Sequence, residues 1–212
     1  MRATLAPAES RTLLRNVSWE TYERILSGQA DAPSPRFNFD RGVLEIMSPS
    51  SEHEEYKQAL TLLVETLADG LGIDIRNLGS TTFKRSEMER GFEADACFYI
   101  QSAGTVEGRA HIDPAVDPAP DLVIEVEITA PALNKLPIYA GFGVPEVWRF
   151  DGERLTILQL QGGKYTECET SRVLGSVASV DLSRLARRSL TLKRTEWLKE
   201  VRSWVREQGH SQ

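Results

Sequence analysis

The sequence predicts an α/β fold in which α-helices flank a central mixed β-sheet. Three observations lead to this expectation: hairpin patterns occur near both ends of the strand-forming region, strands and helices alternate between them, and an amphipathic helix follows. A chain of 212 residues is long enough for a single domain with a full core. We expect that core over residues 18–170, with an N-terminal helix and hairpin, followed by a basic helical appendage over 181–212.

The first third of the chain predicts a helix, a hairpin and a long helix. Ser18 is a suitable N-cap for the first helix, and Ser51 with Glu54 has the spacing of a capping box at the start of the long one. Gly70 is expected to end the long helix. The predicted ranges are 18–26 for the first helix, 36–47 for the hairpin, with its turn at 40–42, and 51–69 for the long helix.

The rest of the chain predicts further strands and helices around one long loop. Pro137 is tolerated in the first helical turn, so the helix that contains it should become regular near Leu136. The final helix carries Trp197, Val201 and Trp204 on one apolar face. The predicted strands are 73–75, 80–85, 92–100, 121–128, 144–151, 154–160 and 164–169; the loop is 101–119, and the helices are 133–143 and 194–207.

The composition is that of a globular protein without a membrane-spanning helix. Hydrophobic residues make up 41% and charged residues 26% of the chain, and no apolar stretch approaches the length of about 18 residues that a span requires. The first ten residues lack the apolar core of a secretory signal. Cys97 and Cys168 have no metal-ligand spacing, so we expect reduced thiols in a cytoplasmic protein.

Charge is distributed unevenly along the chain. The net charge of −6 argues against a general nucleic-acid coat protein, but residues 181–212 contain eight Lys or Arg against four Asp or Glu. This basic end could contact phosphates while the acidic remainder holds a metal ion. The alternative is that it forms the solvated face of a terminal helix.

One apolar run carries three acids at alternate positions. In an extended strand, Asp121, Glu125 and Glu127 would project from the same face, because side chains alternate. Carboxylates arranged in this way repel one another and are costly to desolvate, and a divalent cation relieves both effects. The alternative is that each acid caps a strand end or pairs with an arginine. For Asp121, which follows Pro118 and Pro120, we favour a structural role at the end of the loop.

A second acidic segment and a lysine complete the candidate site. Glu93 and Asp95 alternate in the strand predicted before the loop, and Lys135 follows Glu125 by ten residues. Acids on two strands with a nearby lysine are typical of a metal-dependent phosphodiesterase, because Mg²⁺ and Mn²⁺ prefer carboxylate oxygens and a lysine stabilises developing charge. A strand-end salt bridge is the alternative for Asp95, and an exposed loop position for Lys135. Glu127 could be a third ligand or a partner of Lys135.

Three further residues are candidates for the same site. His53 lies near the centre of the predicted buried face of the long helix, so its side chain should point inward, either as a catalytic group or as a satisfied core histidine. Lys84 and Arg85 end a predicted strand. They are candidates for phosphate contacts in a substrate, or they are ordinary charges at a sheet edge.

Five motifs follow one another in a specific order between about residues 18 and 165. They are Leu44–Pro49 with Glu52–Glu54, Gly79–Arg85, Gly91–Ile100, Pro120–Thr129 and Leu133–Arg149. Together they resemble the Uma2 family of restriction-endonuclease-like proteins. The resemblance implies a PD-(D/E)XK nuclease-like core, in which a central mixed sheet is flanked by helices and two neighbouring strands each carry an acid.

The resemblance also implies roles for individual residues. Asp95 takes the first acidic position of the family's motif, and Glu125 takes the second. Position 127, where the nuclease motif has lysine, holds Glu127. The function of that lysine would therefore come from Lys135, at the start of the following helix.

The residues and the resemblance together predict a Mg²⁺- or Mn²⁺-dependent endonuclease that hydrolyses DNA phosphodiester bonds. A non-catalytic nuclease-fold protein that binds nucleic acid or a protein partner is the alternative, favoured by the acidic body and by the absence of a lysine at position 127. Hydrolysis of another phosphoester would use the same residues. The apolar helix face with Trp197 and Trp204 is a candidate surface for a homodimer or for docking.

Overall fold

Residues 9–29, 34–110, 112–113 and 116–209 are described by a computed structural model, in which they form eleven strands and five α-helices. None of these helices has both the length and the apolar character needed to cross a membrane. The strands are β1 (Ser10–Arg15), β2 (Arg36–Asp40), β3 (Val43–Ser48), β4 (Arg76–Gly79), β5 (Thr82–Arg85), β6 (Arg90–Glu93), β7 (Ala96–Tyr99), β8 (Leu122–Val126), β9 (Glu146–Phe150), β10 (Leu155–Gln161) and β11 (Lys164–Cys168). The helices are α1 (Trp19–Gln29), α2 (Ser51–Leu71), α3 (Leu136–Phe142), α4 (Ser179–Arg188) and α5 (Arg194–Gly209).

The strands form two sheets. The N-terminal sheet has the order β1-β3-β2-β6-β5 and is antiparallel, and the central sheet has the order β11-β10-β9-β8-β7-β4. In the part of the chain that the structure describes, β8 and β9 are the one parallel pair, and α3 connects them. The predicted mixed sheet flanked by helices is therefore confirmed. The predicted hairpin is also present, as β2 and β3 of the additional N-terminal sheet.

Residues 92–100, predicted as one strand, contribute to both sheets. The chain crosses from the N-terminal sheet to the central sheet at Ala94 and Asp95, between β6 and β7. The neighbouring β4 and β5 are separated by a second crossing, at Ser80 and Thr81. The Ser80 hydroxyl donates to the backbone carbonyl of Asp95 at 3.0 Å, which ties the two crossings together. The prediction of a single strand was wrong, because an apolar run does not reveal a bend between two sheets.

Apolar clusters fill the space between the layers. The largest lies between the central sheet and helices α2, α4 and α5, a second lies between the two sheets and α3, and a third lies between the N-terminal sheet and α1. Leu122, Ile124 and Val126 of β8 belong to the largest cluster, whereas Val123 belongs to the second. Because side chains alternate along a strand, Glu125 projects toward α3, as the spacing in the sequence predicts.

The start of α2 differs from the prediction. Its N-cap is Ser50, whose hydroxyl accepts a hydrogen bond from the His53 backbone N–H at 3.1 Å, so the predicted capping box at Ser51 is wrong. Glu54 instead pairs with Arg36 of β2 at 2.5 Å. Glu54, in the first turn of α2, therefore connects this helix to the N-terminal sheet.

The end of α2 also differs. Gly72, with a left-handed φ of 65°, terminates the helix, and its N–H bonds to carbonyls of the last turn. Gly70, predicted to end the helix, lies inside it. A Cβ at Gly70 would lie 2.1 Å from Cγ1 of Val205 on α5, so the glycine allows the two helices to approach closely.

The C-terminal helices belong to the largest core cluster. Leu182 and Leu185 of α4 are fully buried there. This helix was not predicted from the sequence. Trp197, Val201 and Trp204 of α5 are also buried, and α5 packs on α2. The prediction that the tryptophan face is free for a partner was therefore wrong. A homodimer stays a prediction, without this surface to support it.

Strand β1 was likewise missed. It pairs with β3 in antiparallel register from Ser10 opposite Ser48 to Arg15 opposite Val43, and it forms an edge of the N-terminal sheet. Among the residues that the structure describes, the strand predicted at 73–75 is absent, and β4 (Arg76–Gly79) follows directly after that range; the remaining predicted strands and helices are present at or near their predicted ranges.

Candidate active site

Strand β8 and helix α3 bring an acid, a lysine and a tyrosine together. Lys135 immediately precedes α3, and its carbonyl accepts a hydrogen bond from the Tyr139 N–H at 3.1 Å. Residues four apart on a helix share a face, so both side chains point toward the sheet. The Lys135 ammonium donates to one oxygen of the Glu125 carboxylate, and the Tyr139 hydroxyl donates to the other.

All three side chains are buried. The exposed fraction is 3% for Glu125, 7% for Lys135 and 1% for Tyr139. A buried carboxylate is costly unless hydrogen bonds replace water, and a charged donor is the strongest replacement. Burial, and then the negative charge of Glu125, raise the pKa of Tyr139 well above its usual value, so the tyrosine stays protonated and donates to Glu125.

Glu127 and Arg149 extend this group toward solvent. Arg149 on β9 is in register with Glu125 on β8, and its Nε lies 3.6 Å from Oε2 of Glu127. Burial, followed by repulsion from Glu125, raises the pKa of the Glu127 carboxyl, while Lys135 and Arg149 act in the opposite direction. Two acids and two cations therefore face one another across a short stretch of the sheet.

These side chains line an opening of about 290 Å³, which we call the Glu125 cleft. Its mouth is at Arg149, whose side chain is 40% exposed, and its floor is the buried Glu125. The lining residues are Glu125, Glu127, Pro131, Leu133, Asn134, Lys135, Leu136, Tyr139, Val147 and Arg149. The cleft thus combines apolar walls with a few convergent polar groups, as small-molecule and catalytic sites do.

Asp95 belongs to a separate hydrogen-bonded group beside β8. Its Oδ1 accepts from Arg36 and lies 2.7 Å from Nε2 of His53, and its Oδ2 accepts from the Val126 N–H at 2.6 Å. Asp95 is 1% exposed and does not line the Glu125 cleft. It therefore contacts β8 through the backbone amide of Val126, the residue between the two glutamates.

His53 points inward from α2 and has an acid at each ring nitrogen. Nδ1 lies 2.7 Å from Oε2 of Glu9, and Nε2 lies 2.7 Å from Oδ1 of Asp95. Both contacts are hydrogen bonds when both nitrogens carry protons. The inward orientation agrees with the helical periodicity, but His53 is fully buried and does not line the cleft. Its contacts are those of a residue that connects strands to α2.

His53 and Asp95 are part of a larger group between the two sheets, which we call the inter-sheet polar cluster. The alternation of β2 produces it: Phe37 and Phe39 pack toward α1, so Arg36 and Asn38 face the opposite side. There, Asn38 donates to Glu45 of β3 at 3.1 Å. The members of the cluster are Glu9, Arg11, Arg36, Asn38, Glu45, His53 and Asp95.

The predicted substrate contacts Lys84 and Arg85 lie on β5, at the edge of the N-terminal sheet. Lys84 pairs with Glu23 of α1 at 2.9 Å, and the guanidinium of Arg85 lies 5.0 Å from the ring centroid of Phe142. Neither residue lines the Glu125 cleft.

Asp121 has the structural role that the sequence favours. Its Oδ2 accepts hydrogen bonds from the Ile100 N–H at 2.7 Å, the Ser102 N–H at 2.9 Å and the Ser102 hydroxyl at 2.7 Å. The side chain therefore fixes the start of the long loop to the end of the same loop. It does not line the cleft.

The donor set of the cleft suits a hard divalent cation bound by few protein ligands. In the described ranges, no group of three or more His, Cys, Asp or Glu side chains is arranged to hold a metal ion. Mg²⁺ is commonly held by one or two carboxylates, with waters and substrate phosphates completing its shell. Glu125 and Glu127 supply two carboxylates of this kind in one cleft. Burial, and then repulsion from Glu125, raise the pKa of Glu127, and a bound cation would offset both effects.

Sequence reasoning did not identify Tyr139 and Arg149, although a signal for each exists. Tyr139 follows Lys135 by four residues at the start of a helix, which places both on one face. Arg149 lies in the strand after that helix, and a strand–helix–strand unit places such strands side by side. Glu9 and Arg11 offered no comparable signal, because their strand pairs with a partner distant in sequence.

The chain matches a described protein family in sequence and a solved structure in fold. Residues 19–193 match the Uma2 family, described as a putative restriction endonuclease. A crystal structure of a protein from Anabaena variabilis, described as a putative nuclease belonging to DUF820, superposes with a TM-score of 0.55 at 12% sequence identity, over 79% of this chain and 98% of that one. This similarity supports the restriction-endonuclease-like core. No curated protein matches the sequence. Since the family match extends over most of the chain, from α1 to the start of α5, the protein belongs to the Uma2 family.

Proposed function

We propose that this protein is a metal-dependent endonuclease that hydrolyses DNA phosphodiester bonds in the Glu125 cleft. One observation carries the proposal: a buried carboxylate is held between a lysine and a tyrosine, with Glu127 two residues away in the same opening. Membership of the Uma2 family supports a nuclease, and the arrangement of charges supports catalysis at this cleft. The two free cysteines, Cys97 and Cys168, support a cytoplasmic location.

Glu125 and Glu127 would hold Mg²⁺ or Mn²⁺ in the cleft, and Asp95, which does not line the cleft but contacts β8 at Val126, is the third acid that we propose. Oδ1 of Asp95 has two partners, but Oδ2 accepts one hydrogen bond, from Val126, and a carboxylate oxygen can accept two. When bound, the cation would polarise the scissile phosphate and lower the pKa of the attacking water.

The side chains of the cleft have separate tasks in this scheme. Lys135 uses one of its three N–H groups on Glu125, so others are available for a phosphate oxygen, where they would stabilise the charge of the transition state. Tyr139 fixes the orientation of Glu125. Arg149 at the mouth would bind a phosphate of the same strand, because a guanidinium matches phosphate geometry. Lys84 and Arg85 contact Glu23 and Phe142 and lie outside the cleft. Any contact that they make with the substrate would therefore be away from the scissile phosphate.

Cleavage of supercoiled plasmid DNA tests the proposal. We expect nicking or linearisation with Mg²⁺ or Mn²⁺ and none with EDTA. Glu125→Gln and Lys135→Met should each lower the rate by about 100-fold or more, the effect of removing one group that stabilises transition-state charge. Glu167→Gln and Lys164→Met are matched controls, because both side chains are exposed on β11, outside the cleft, and they should cleave like the wild type.

The opposite results would support the alternative function. Because Lys135 and Glu125 neutralise each other as a buried pair, a non-catalytic protein that binds nucleic acid or a protein partner is the second candidate. It predicts that a folded wild type binds DNA without cleaving it, and that Mn²⁺ leaves the thermal midpoint unchanged. Wild-type cleavage rates in Glu125→Gln would also reject the assignment of chemistry to this cleft.

A further inference from the structure

We propose that Arg11 is a positioning residue that holds the segment carrying Lys135 in place over Glu125. This inference rests on the proposed function, in which Lys135 acts on the phosphate. The segment is the connection between β8 and α3, residues 127–135, which we call the Lys135 loop. Arg11 acts on it through two buried glutamates, Glu9 and Glu45.

The Lys135 loop is attached to the N-terminal sheet at two points. The Thr129 hydroxyl donates to Oε1 of Glu9, just before β1, and the Leu133 N–H donates to Oε1 of Glu45, on β3, at 3.1 Å. Between these points, residues 130–132 are exposed. Glu9 and Glu45 therefore fix the two ends of this exposed stretch. The second end, at Leu133, is two residues before Lys135.

Arg11 joins the two acceptors. Its Nε lies 2.8 Å from Oε1 of Glu9, and its Nη1 lies 3.4 Å from Oε1 of Glu45. The side chains of both glutamates are fully buried, and that of Arg11 is 7% exposed. Two buried carboxylates that share a neighbourhood repel each other, and removal of the cation between them leaves charge without compensation. The same two oxygens that Arg11 contacts are those that accept from Thr129 and Leu133.

The charge of Arg11 also acts at the cleft itself. Burial by itself would lower the pKa of Arg11, but Glu9, Glu45 and Glu125 raise it by more. Arg11 is also among the cations that oppose the raised pKa of Glu127. A single guanidinium on β1 therefore stabilises the loop anchors and lies within the electrostatic range of both cleft acids.

Hydrogen exchange combined with steady-state kinetics tests the inference. In Arg11→Met, we expect the Leu133 amide to exchange about tenfold faster, the effect of losing about one charge-assisted hydrogen bond. We also expect kcat to fall by a similar factor while KM changes little, because the loop positions Lys135 and does not bind DNA. Arg11→Lys should be intermediate, since an ammonium keeps the charge but cannot reproduce the two-pronged geometry. Arg15→Met is the matched control, because Arg15 lies exposed on the same strand and should behave like the wild type.

A second variant keeps the test decisive if Arg11→Met does not fold. Glu45→Gln retains an oxygen for the Leu133 N–H but loses the charge that faces Arg11. It should therefore accelerate Leu133 exchange to about the same extent as Arg11→Lys, and less than Arg11→Met. The exchange measurement does not depend on nuclease activity, so it separates this inference from the proposed function. Unchanged Leu133 exchange in folded Arg11→Lys and Glu45→Gln would overturn the inference, even if Glu125→Gln abolishes cleavage. Faster exchange with an unchanged kcat would overturn the link to Lys135.

Discussion

Two buried glutamates of this protein show how similar side chains differ in what they can do. Glu146 is 1% exposed and accepts four hydrogen bonds from uncharged donors, among them the Trp148 indole at 2.7 Å, the Ser171 hydroxyl at 2.6 Å and the Arg172 backbone N–H at 2.8 Å. These contacts use its acceptor positions and attach a loop to the sheet. Glu125 accepts from two side chains and lines an open cleft. Remaining acceptor capacity beside an opening therefore distinguishes a candidate ligand from a structural acid.

The hydrogen bond from Tyr139 to Glu125 should contribute more to stability than an ordinary tyrosine bond. Because the acceptor is charged and buried, Tyr139→Phe should lower the free energy of unfolding by about 1.5–3 kcal/mol. Tyr165→Phe is the matched control: its hydroxyl donates to the neutral carbonyl of Val144 at 2.7 Å, and its loss should cost about 1 kcal/mol. Urea denaturation of both variants measures the difference. Equal losses would contradict a charged acceptor at Glu125.

At the scale of the element, α2 shows a conflict between helix propensity and packing. Glycine inside a helix is less favourable than alanine by about 1 kcal/mol. Gly70 nevertheless lies directly against α5, because any Cβ there would overlap Val205, which is 3% exposed. The missing side chain lowers the local helix propensity, but it allows close packing of α2 and α5, which both cover the largest core cluster.

A double-mutant cycle tests this explanation. Gly70→Ala alone should destabilise the protein by about 1–3 kcal/mol, the usual cost of overpacking. In a Val205→Ala background, where the overlapping methyl groups are gone, the same change should be neutral or stabilising by up to about 1 kcal/mol. Free energies of unfolding for the four proteins give the coupling. Additive effects would mean that Gly70 does not serve the contact with α5.

The sequence could predict the elements that have local signals, and it could not predict those that depend on distant pairing. The acidic strand and α3 were predicted because alternation, a proline near the helix start and the later glycine are local signals, and these two elements position Glu125, Lys135 and the cleft. Strand β1 depends on pairing with β3, which lies about thirty residues further along, and no local pattern marks it. The position of Asp95 was not predictable either, because it follows from a bend between two sheets.

At the level of the whole molecule, the inter-sheet polar cluster adds charged contacts to the apolar cluster that also lies between the two sheets. Arg36 of the N-terminal sheet contacts Asp95 beside the central sheet and Glu54 of α2. His53 of α2 faces Glu9 and Asp95. Buried ionic groups of this kind are strongly destabilising when one partner is removed. Removal of one of these charged partners should therefore weaken the contact between the two sheets and α2.

The stability of the protein should depend on pH through Glu9. Burial by itself would raise the pKa of Glu9, but hydrogen bonds from His53, Thr129 and Arg11 lower it from 4.5 to about 2. Because the folded-state pKa lies below the unfolded one, Glu9 contributes stability at neutral pH, and this contribution is lost as the pH falls from about 4.5 to about 2.

Chemical denaturation of the wild type and Glu9→Gln at several pH values measures this contribution. The wild type should be clearly more stable at about pH 7, and the difference should shrink as the pH falls below about 4.5 and approach zero near pH 2, where Glu9 of the folded protein becomes protonated. Glu167→Gln, whose exposed partner is Arg154, should show a small difference at every pH. A wild-type advantage that stays constant down to about pH 2 would contradict the lowered pKa of Glu9.

The two crossings at Ser80 and Asp95 have a consequence for how this chain can change in length. Strands β4 to β7 form one long bent hairpin that pairs within both sheets, and the Ser80–Asp95 hydrogen bond fixes its legs to each other at the bend. One residue inserted or deleted in either leg would shift one sheet's register against the other's and turn the Asp95 side chain away from His53. The tip around residues 86–89 lies between β5 and β6 and belongs to neither sheet. We therefore expect relatives of this protein to differ in the length of that tip while keeping the number of residues in both legs.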